Sequence, residues 1–395
     1  MVVTQVSGLS GQASLLRAVH AQPGITRVSA AQELEMPSGF AAETSARLAA
    51  LELLIEHPAP PTGRRGRPTT SLHPHPCGPL VAVADIAHES WRVAAVQLGG
   101  EAVESVKRPH QRDQAEVLAA VAGELDSFGR RYGGRIRAVA VAVPGTVVGS
   151  RLVQAPNLGW NDVDLSMLWP RYDPECPFLT GNDATFAAIA ESRRGAAAGA
   201  GTILHLYMDA GVGGAVIEGG RALLGATGMA GEFGHMPFGD PTLRCRCGAA
   251  GCWNTTLDGH AVARALRQPA PADEVTYTRR IIAAAKANQP EELSAIQAAA
   301  RSLGRGAAGL ANAFDPHIVT VGGLGRDLLS VAGEQAGRAY LAGLMQFRTS
   351  PPPPMIPAHL GDDAPLVGAA EDAFSAVLTD KGLRAWSART RSGVR

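Results

Sequence analysis

Residues 245–252 read Cys-Arg-Cys-Gly-Ala-Ala-Gly-Cys, and His235 lies ten residues before the first of these cysteines. This stretch holds three of the five cysteines in the chain. A Cys-x-Cys pair is too short to close an ordinary disulfide, whereas thiolates and an imidazole at this spacing can share one tetrahedral cation. We predict a Zn²⁺ site made by His235, Cys245, Cys247 and Cys252, which is structural because four protein ligands leave no open position. The alternative is three unrelated buried thiols and a core histidine.

The composition bounds the size and class of the protein. With 395 residues, 46% of them hydrophobic, the chain has material for two or three domains. Its 36 basic residues balance 36 acidic ones, so any surface for nucleic acid or membrane must be a local patch. No stretch approaches the roughly 18 uninterrupted apolar residues of a membrane span, and the first residues lack a signal-peptide pattern. We therefore expect a cytoplasmic protein with no membrane partner, and Cys77 and Cys176 fit a reducing compartment.

The first 56 residues have the apolar spacing of three short helices. The second helix starts around Thr26, which can cap it, and the third covers residues 39–55 after a tight turn at residues 36–39. The positions expected to face inward are Leu9, Ala13, Leu16 and Val19 in the first helix, Val28, Ala31 and Leu34 in the second, and Ala41, Ser45, Leu48, Leu51 and Ile55 in the third.

Two interpretations of these helices stay open: a three-helix cap on the next domain, or a winged helix-turn-helix that binds DNA. In the second, Ser38 in the preceding turn and Glu43 and Arg47 of the third helix face the major groove. The segment at residues 57–78 is rich in proline, glycine and arginine and cannot be a helix, so it is either a solvated linker or an extended arm for a minor groove. The arm would use Arg64, Arg65 and Arg67. Because residues 1–76 hold six arginines and five glutamates, DNA affinity would depend on dimerisation and on this arm.

From residue 80 onward the pattern becomes α/β, and glycine-rich turns follow several of the strands. Such turns at the carboxyl ends of strands let backbone amides approach a ligand closely. The tail from residue 380, rich in lysine and arginine, is expected to fray. The predicted strands are 80–86, 91–98, 136–143, 202–208, 214–217 and 317–321, and the predicted helices lie near 112–129, 183–195, 258–268, 273–287, 292–313, 326–345 and 366–378.

The segment Ala230-Gly231-Glu232-Phe233-Gly234-His235, followed by the cysteine stretch, resembles the signature of the ROK family of repressors, open reading frames and sugar kinases. The likeness covers nearly the whole chain, because further family motifs occur in family order. These are Gly66-Arg67-Pro68, Val143-Pro144-Gly145, Ala155-Pro156-Asn157-Leu158-Gly159-Trp160, Gly181-Asn182-Asp183-Ala184 and the glycine loop at residues 209–214.

The resemblance implies an actin-like, sugar-kinase fold of two α/β lobes, here over residues 79–395, with a winged helix-turn-helix and linker over residues 1–78. Asp183 matches the family's catalytic base, although an aspartate at a helix start can also simply cap the helix. Asn182, Glu232 and His235 match residues that bind sugar hydroxyls, and His235 also resembles the family's zinc histidine. One ring nitrogen would then face the metal and the other the ligand.

The sequence departs from the family pattern in two places. The kinases of the family carry an Asp-x-Gly-Gly-Thr turn that wraps ATP phosphates, whereas this chain reads Asp85-Ile86-Ala87-His88-Glu89-Ser90. Side chains in place of both glycines fill the space that the phosphates need, so kinase activity is not expected and Asp183 would be a vestigial base. Asn254 stands where family members usually have a sugar-binding glutamate, which leaves the ligand's identity open.

These features together predict a sugar-responsive transcriptional regulator, most simply a repressor, with a structural zinc. A homodimer or homotetramer would present two third helices to an inverted repeat in double-stranded DNA, and a small sugar or sugar derivative would be the effector. One alternative is an ATP-dependent sugar kinase with an atypical phosphate loop. Another is a regulator that senses a protein partner instead of a small molecule.

Overall fold

The computed structural model describes residues 10–59, 70–169 and 176–392, with only the backbone described at residues 390–392. The chain divides into two compact units. Unit 1 comprises Met1–Asp183 and Ala369–Arg395, and unit 2 comprises Ala184–Gly368. The boundary at residue 78 between an N-terminal domain and the body stays a prediction.

Three helices and a hairpin form the N-terminal module: α1 (Gly11–Ala21), α2 (Arg27–Glu33), α3 (Ser38–Ala50), β1 (Leu54–Pro58) and β2 (Thr70–Pro74). The predicted cap is confirmed, because the Thr26 side chain accepts a hydrogen bond from the Ser29 amide. The inward position of Val28 was wrong, since this side chain is 55% exposed. Position Leu9 lies outside the described residues.

The third helix is shorter than predicted. It ends at Ala50, because Glu52 adopts a left-handed conformation with φ of 55° that breaks the helical path. Ile55, expected on the helix, lies instead in β1. Strands β1 and β2 pair antiparallel from Leu54↔Pro74 to Pro58↔Thr70, so the ends of the expected loop form a hairpin of the wing type.

Unit 1 continues with a five-stranded sheet in the order β10-β6-β3-β4-β5. The pairs β3–β6 and β6–β10 are parallel, while β3–β4 and β4–β5 are antiparallel. The central strands are buried apolar runs and were predicted correctly, whereas the charged edge strand β5 was missed. The elements are β3 (Leu80–Ile86), β4 (Ser90–Gln97), β5 (Ala102–Pro109), α4 (Gln114–Tyr132), β6 (Ile136–Val143), β7 (Thr146–Val148), β8 (Arg151–Ala155), β9 (Trp160–Asp164) and β10 (Phe178–Asn182).

Unit 2 repeats this plan with a sheet in the order β13-β12-β11-β14-β15. In each sheet the first strand in the chain lies at the centre, antiparallel to the second and parallel to the fourth. The elements are α5 (Asp183–Arg193), β11 (Thr202–Met208), β12 (Val212–Glu218), β13 (Arg221–Ala222), α6 (Gly259–Ala265), α7 (Glu274–Lys286), α8 (Pro290–Phe314), β14 (Ile318–Gly323), α9 (Leu324–Gly343) and β15 (Met355–Pro357).

Helices α8 and α9 pack closely through small residues. A side chain at Gly304 of α8 would approach the Ala336 carbonyl oxygen of α9 to 2.1 Å, so only glycine permits this crossing. Neither of these long helices, nor any other helix over the described ranges, is apolar enough over a sufficient length to cross a bilayer.

Two further helices end the described chain, α10 (Ala364–Val377) and α11 (Asp380–Ser392). The expectation of a frayed tail was therefore wrong. Leu383 and Trp386 lie three residues apart on α11 and are 7% and 9% exposed, so this helix buries an apolar face despite its many charges. The predicted α/β, sugar-kinase-like fold class is confirmed by the two matching sheets together with the structural and family matches reported in the next section.

Candidate functional site

Residues 245–252 fold into a compact loop in unit 2, named the metal loop here because of the Zn²⁺ that it is predicted to bind. The Cys245 amide donates to the Ala249 carbonyl at 2.8 Å, and the Gly248 amide donates back to the Cys245 carbonyl at 3.0 Å. Gly248 and Gly251 have φ of 93° and 74°, a region that favours glycine. These two glycines let the chain reverse twice, so that Cys247 and Cys252 point to the same place.

The four predicted metal ligands converge. The ligand atoms of His235, Cys245, Cys247 and Cys252 all lie within 4.8 Å of one another. The sulfurs of Cys247 and Cys252 are 3.6 Å apart, and the Cys245 sulfur is 3.7 Å from Nδ1 of His235. Ligand atoms around a tetrahedral zinc with Zn–S bonds near 2.3 Å are separated by about 3.8 Å. The donor set and its spacing fit zinc, and metal binding itself stays a prediction.

The thiols of Cys247 and Cys252 lie in different electrostatic surroundings. Burial, together with the neighbouring sulfurs of Cys247 and Cys245, raises the pKa of Cys252 to about 12. A hydrogen bond from the backbone at Ala249 lowers the pKa of Cys247. A buried thiol such as Cys252 becomes a thiolate at neutral pH only beside a cation, which a bound Zn²⁺ would supply.

Contacts on both flanks hold the metal loop in place. Trp253, which follows the last cysteine, is fully buried and donates its indole N–H to the Ser302 carbonyl of α8 at 3.1 Å. A side chain at Gly306 would lie 2.2 Å from the Trp253 ring, so this glycine makes room for the anchor. The Trp253 amide also donates to the Met236 carbonyl at 2.8 Å, which joins the metal loop to the segment that carries His235.

An ion pair that the sequence did not reveal fixes the middle of the loop. Arg246, between the first two cysteines, bonds the carboxylate of Glu274 at the start of α7. Glu274 is 7% exposed and its other oxygen has no hydrogen-bond partner among the described residues. His260 of α6 lies 3.8 Å from the paired oxygen. A buried carboxylate is costly without such a partner, so the pair resists movement of the loop.

The predicted sugar ligands of unit 2 lie around the same loop. His235 ends a 3₁₀ turn whose N-cap is Glu232, and the His235 side chain is exposed. Asn254 accepts a hydrogen bond from the Val212 amide at 2.8 Å, which ties the metal loop to the glycine-rich turn before β12. A side chain at Gly234 would lie 2.2 Å from the Asn254 amide oxygen, so this glycine is required by the contact. Asn254 therefore has a positioning contact that the sequence did not predict.

The other two predicted sugar ligands belong to unit 1. Asn182 ends β10 and donates its side-chain N–H to the Gly145 carbonyl at 2.8 Å, and Asp183 is the first residue of α5. Both are half-buried. Their roles, and those of Glu232, His235 and Asn254, as sugar ligands stay predictions.

Side chains fill the turn between β3 and β4. His88 is 9% exposed, and Arg112 lies 3.5 Å from its Nε2. His110 contacts the Ala87 carbonyl through its ring at 3.1 Å, and its amide donates to the Glu89 carbonyl at 3.0 Å. Burial, followed by the nearby charges of His88 and Arg112, lowers the pKa of His110 despite the bond to Ala87. The place of a glycine turn is therefore taken by packed side chains.

The predicted DNA-contacting positions of α3 are accessible. Ser38, Glu43 and Arg47 are exposed, and the last two form an ion pair at 2.6 Å. Arg64, Arg65 and Arg67 lie outside the described residues, between the two strands of the β1–β2 hairpin. DNA contact by either group stays a prediction.

Comparisons with known proteins place the chain among relatives of two kinds. A glucokinase of Streptomyces coelicolor is 29% identical over 311 residues, which cover 74% of this chain and 96% of the glucokinase. A xylose repressor of Bacillus subtilis is 27% identical over 244 residues, which cover 58% of this chain and 59% of the repressor. These two relatives match the chain at similar identity, and their names state different functions.

A solved structure extends the likeness to the N-terminal module. The structure of a ROK family transcriptional regulator, a homologue of the E. coli MLC protein, matches with a TM-score of 0.74 at 23% identity, over 95% of this chain and 97% of that one. At this identity the match shows the fold alone. The model of the ROK family matches residues 82–373, well over half of the chain, and the protein therefore belongs to the ROK family.

Proposed function

We propose that the protein is a sugar-responsive, DNA-binding transcriptional regulator, acting as a repressor, with a structural zinc and no kinase activity. One observation carries this proposal: three helices and an antiparallel hairpin precede residue 82, where the family match begins. Such a module has no role in phosphoryl transfer, whereas winged helices bind DNA. The xylose repressor relative and the fold of the regulator support the same conclusion.

The DNA contacts would come from two parts of the N-terminal module. Helix α3 would lie in the major groove with Ser38, Glu43 and Arg47 toward the bases, since these side chains are exposed. The arm that joins β1 to β2 would bring Arg64, Arg65 and Arg67 to a minor groove. A homodimer or homotetramer would present two such modules to an inverted repeat, which compensates for the modest basic charge of each.

The filled turn between β3 and β4 argues against phosphoryl transfer. That reaction depends on backbone amides that wrap the phosphates, and His88 and its contacts occupy the turn. Asp183 would then be a vestigial base that keeps only a binding role. The alternative, an ATP-dependent sugar kinase with an atypical phosphate loop, is favoured by the glucokinase relative.

Zinc would serve to fix the ligand site. His235, Cys245, Cys247 and Cys252 would hold it, and with four protein ligands it would supply no reaction chemistry, only a rigid loop. Nδ1 of His235 lies toward the Cys245 sulfur, so Nε2 would be left for a sugar hydroxyl. Glu232, Asn254, Asn182 and Asp183 are the other residues proposed to bind the sugar or sugar derivative.

DNA binding is tested by mobility shift with fragments from the region upstream of the gene. The double substitution Arg65→Ala and Arg67→Ala should weaken binding at least about tenfold and lower its salt dependence, because two phosphate or groove contacts are lost. Arg130→Ala, an exposed arginine of α4, is the matched control and should leave binding unchanged. Equal affinity of the double variant and the control would refute the role of the arm.

The kinase alternative is tested by incubation of purified protein with labelled ATP and a panel of hexoses, pentoses and N-acetylamino sugars. No sugar phosphate is expected. Steady turnover that Asp183→Ala abolishes would establish the kinase instead.

Effector binding is measured separately, as a sugar-dependent rise in melting temperature and a change in operator affinity. A ligand must bind the two states with different affinity to act as a switch.

A further inference from the structure

We infer that His20 is a positioning residue that docks the N-terminal module onto the rest of unit 1, so that packing fixes the orientation of the module. A module attached only through its linker could reorient freely. This inference rests on the proposed function for its meaning in regulation, but the docking itself is a property of the free protein.

His20, near the end of α1, bonds partners outside the module with both ring nitrogens. Its Nδ1 accepts the Gly99 amide of the β4–β5 turn at 3.0 Å, and its Nε2 lies 3.2 Å from the Glu371 carboxylate of α10. Because Nδ1 is the acceptor, the ring proton is on Nε2 and is donated to the carboxylate. The His20 ring also packs on Phe374 of α10, with centroids 4.5 Å apart.

Burial makes this contact specific. His20 is 6% exposed and Glu371 is 5% exposed, so neither can replace its partner with bulk water. Removal of one member of a buried hydrogen-bonded pair takes a partner from the other where water cannot replace it, which costs more than the pair contributes. The geometry that satisfies both groups is therefore strongly preferred over any other placement of α1.

Hydrogen bonds of three further residues also join the module to α10 and α11. Arg17 donates to the Leu378 and Ser375 carbonyls at 2.8 and 3.1 Å, which caps the end of α10. Ser10 donates its amide to Asp380 of α11 at 3.1 Å. Trp386 of α11 donates its indole N–H to the Leu51 carbonyl at 2.8 Å, just after α3.

The β4–β5 turn fits against the module through Gly99. Its φ of 92° and its surroundings both require glycine, since a side chain there would lie 2.9 Å from Cγ of Pro23 and 3.1 Å from Cγ of Pro74. The module is thus contacted at α1, just after α3 and at β2. In a complex of the proposed dimer with an inverted repeat, this docking would set the distance between the two α3 helices. It would thereby set the preferred spacing of the half-sites.

The first experiment needs no DNA. Hydrogen–deuterium exchange of the full-length protein is followed in peptides that cover α1, the turn at residues 97–101 and α4. Glu371→Ala, a change outside the module, should speed exchange in α1 and in the turn by about tenfold or more and leave α4 unchanged. His20→Ala should do the same, and His20→Gln, which keeps an acceptor and a donor, should restore much of the protection.

A control separates docking from the stability of the module. Thr26→Ala removes the cap of α2 without touching the docking contacts, so it should speed exchange in α2 and leave the turn at residues 97–101 as in the wild type. Wild-type exchange of the turn and of α1 in Glu371→Ala would overturn the inference. Equal effects of Glu371→Ala and Thr26→Ala on every peptide of the module would overturn it as well.

The second experiment varies the spacing between two half-sites of an operator one base pair at a time. The wild type should prefer one spacing by about tenfold or more, while His20→Ala should bind all spacings alike, as a loosely tethered module does. A spacing preference that is the same in both proteins would overturn the inference. If the wild type binds no operator, the proposed function fails, and the exchange experiment still decides whether the module is docked.

Discussion

The two units have sheets with the same strand order, yet the turn after the first strand of each is built differently. In unit 2 this connection and the start of β12 contain Gly211, Gly213 and Gly214. In unit 1 the turn between β3 and β4 contains Ala87, His88 and Glu89.

The surroundings of the turns differ in the same way. Backbone approaches so closely in unit 2 that a side chain at Gly214 would lie 2.0 Å from the His205 carbonyl oxygen. In unit 1, His88 and the ring of His110 occupy the turn. Phosphoryl transfer requires close approach of backbone amides to phosphate, so the side chains in the unit 1 turn support the proposal that the protein has no kinase activity.

The largest expected effect breaks the comparison at its centre. Gly214→Ala should destabilise unit 2 by roughly 4–5 kcal/mol, because its new methyl group meets a backbone oxygen that cannot move alone. Ala87→Gly in the filled turn should cost less than about 1 kcal/mol. Urea denaturation followed by circular dichroism checks both, and a Gly214→Ala protein as stable as Ala87→Gly would show that the two turns are equally tolerant.

The metal loop is found in unit 2, and its loss should have the next largest effect. Cys252→Ser should remove stoichiometric zinc in elemental analysis. It should lower the free energy of unfolding by about 4 kcal/mol when free zinc is 1,000-fold above its dissociation constant. Cys77→Ser is the matched control, because Cys77 is an exposed free cysteine of unit 1. Wild-type protein without zinc would contradict the metal site.

A buried histidine in β11, the central strand of the unit 2 sheet, should make the stability of the protein depend on pH. His205 of β11 is fully buried, bonds Thr320 at 2.8 Å through Nδ1, and has no partner for Nε2 among the described residues. Burial, opposed by the charge of Glu191, lowers its pKa from 6.5 to about 4. His205 therefore binds a proton near pH 6.5 in the unfolded chain and only near pH 4 in the folded chain.

Stability should consequently fall as the pH is lowered from about 6.5 to about 4, by up to roughly 3 kcal/mol. His205→Gln should flatten this part of the pH profile, while His317→Gln, a change at an exposed histidine of the same unit, should not. Urea midpoints measured across this pH range decide the matter. An identical slope in all three proteins would mean that other groups cause the acid sensitivity.

The smallest effect concerns the bond that joins the metal loop to the glycine turn. Asn254→Ala leaves the Val212 amide without its acceptor and should cost about 1–2 kcal/mol. Asn254→Asp keeps an acceptor oxygen and should cost less, and Asn161→Ala, at an exposed asparagine of β9, should be neutral. Faster amide exchange at Val212 in the alanine variant alone would locate the effect at the turn.

Local patterns in the sequence were enough to predict much of the fold. Strands β3, β6 and β11 were predicted to the residue because they are buried apolar runs bounded by turn residues. The third helix was extended too far because Leu51 and Ile55 continue its spacing, while the left-handed Glu52 that ends it has no sequence signal. Helix α11 was missed because its charges outnumber its two buried apolar residues.

The candidate site divides in the same way. The convergence of residues in a short motif, such as Cys247 and Cys252, was predicted from spacing alone. Contacts between distant segments were not, since His20 and Glu371 are 351 residues apart and neither lies in a recognisable motif. The hydrogen bond that the Val212 amide donates to Asn254 was equally unpredictable, because an asparagine in a sequence does not indicate which backbone group its side chain will contact.

The contact between Ser10 and Asp380 joins segments 370 positions apart. A ribosome makes the N-terminal helices long before α11, so the contacts between the module and α11 can form only after residue 386 has been synthesised. A polypeptide that terminates before Trp386 would contain α3 and still lack the contact that α11 makes just after it. Under the proposed function, such incomplete products would compete poorly for operators.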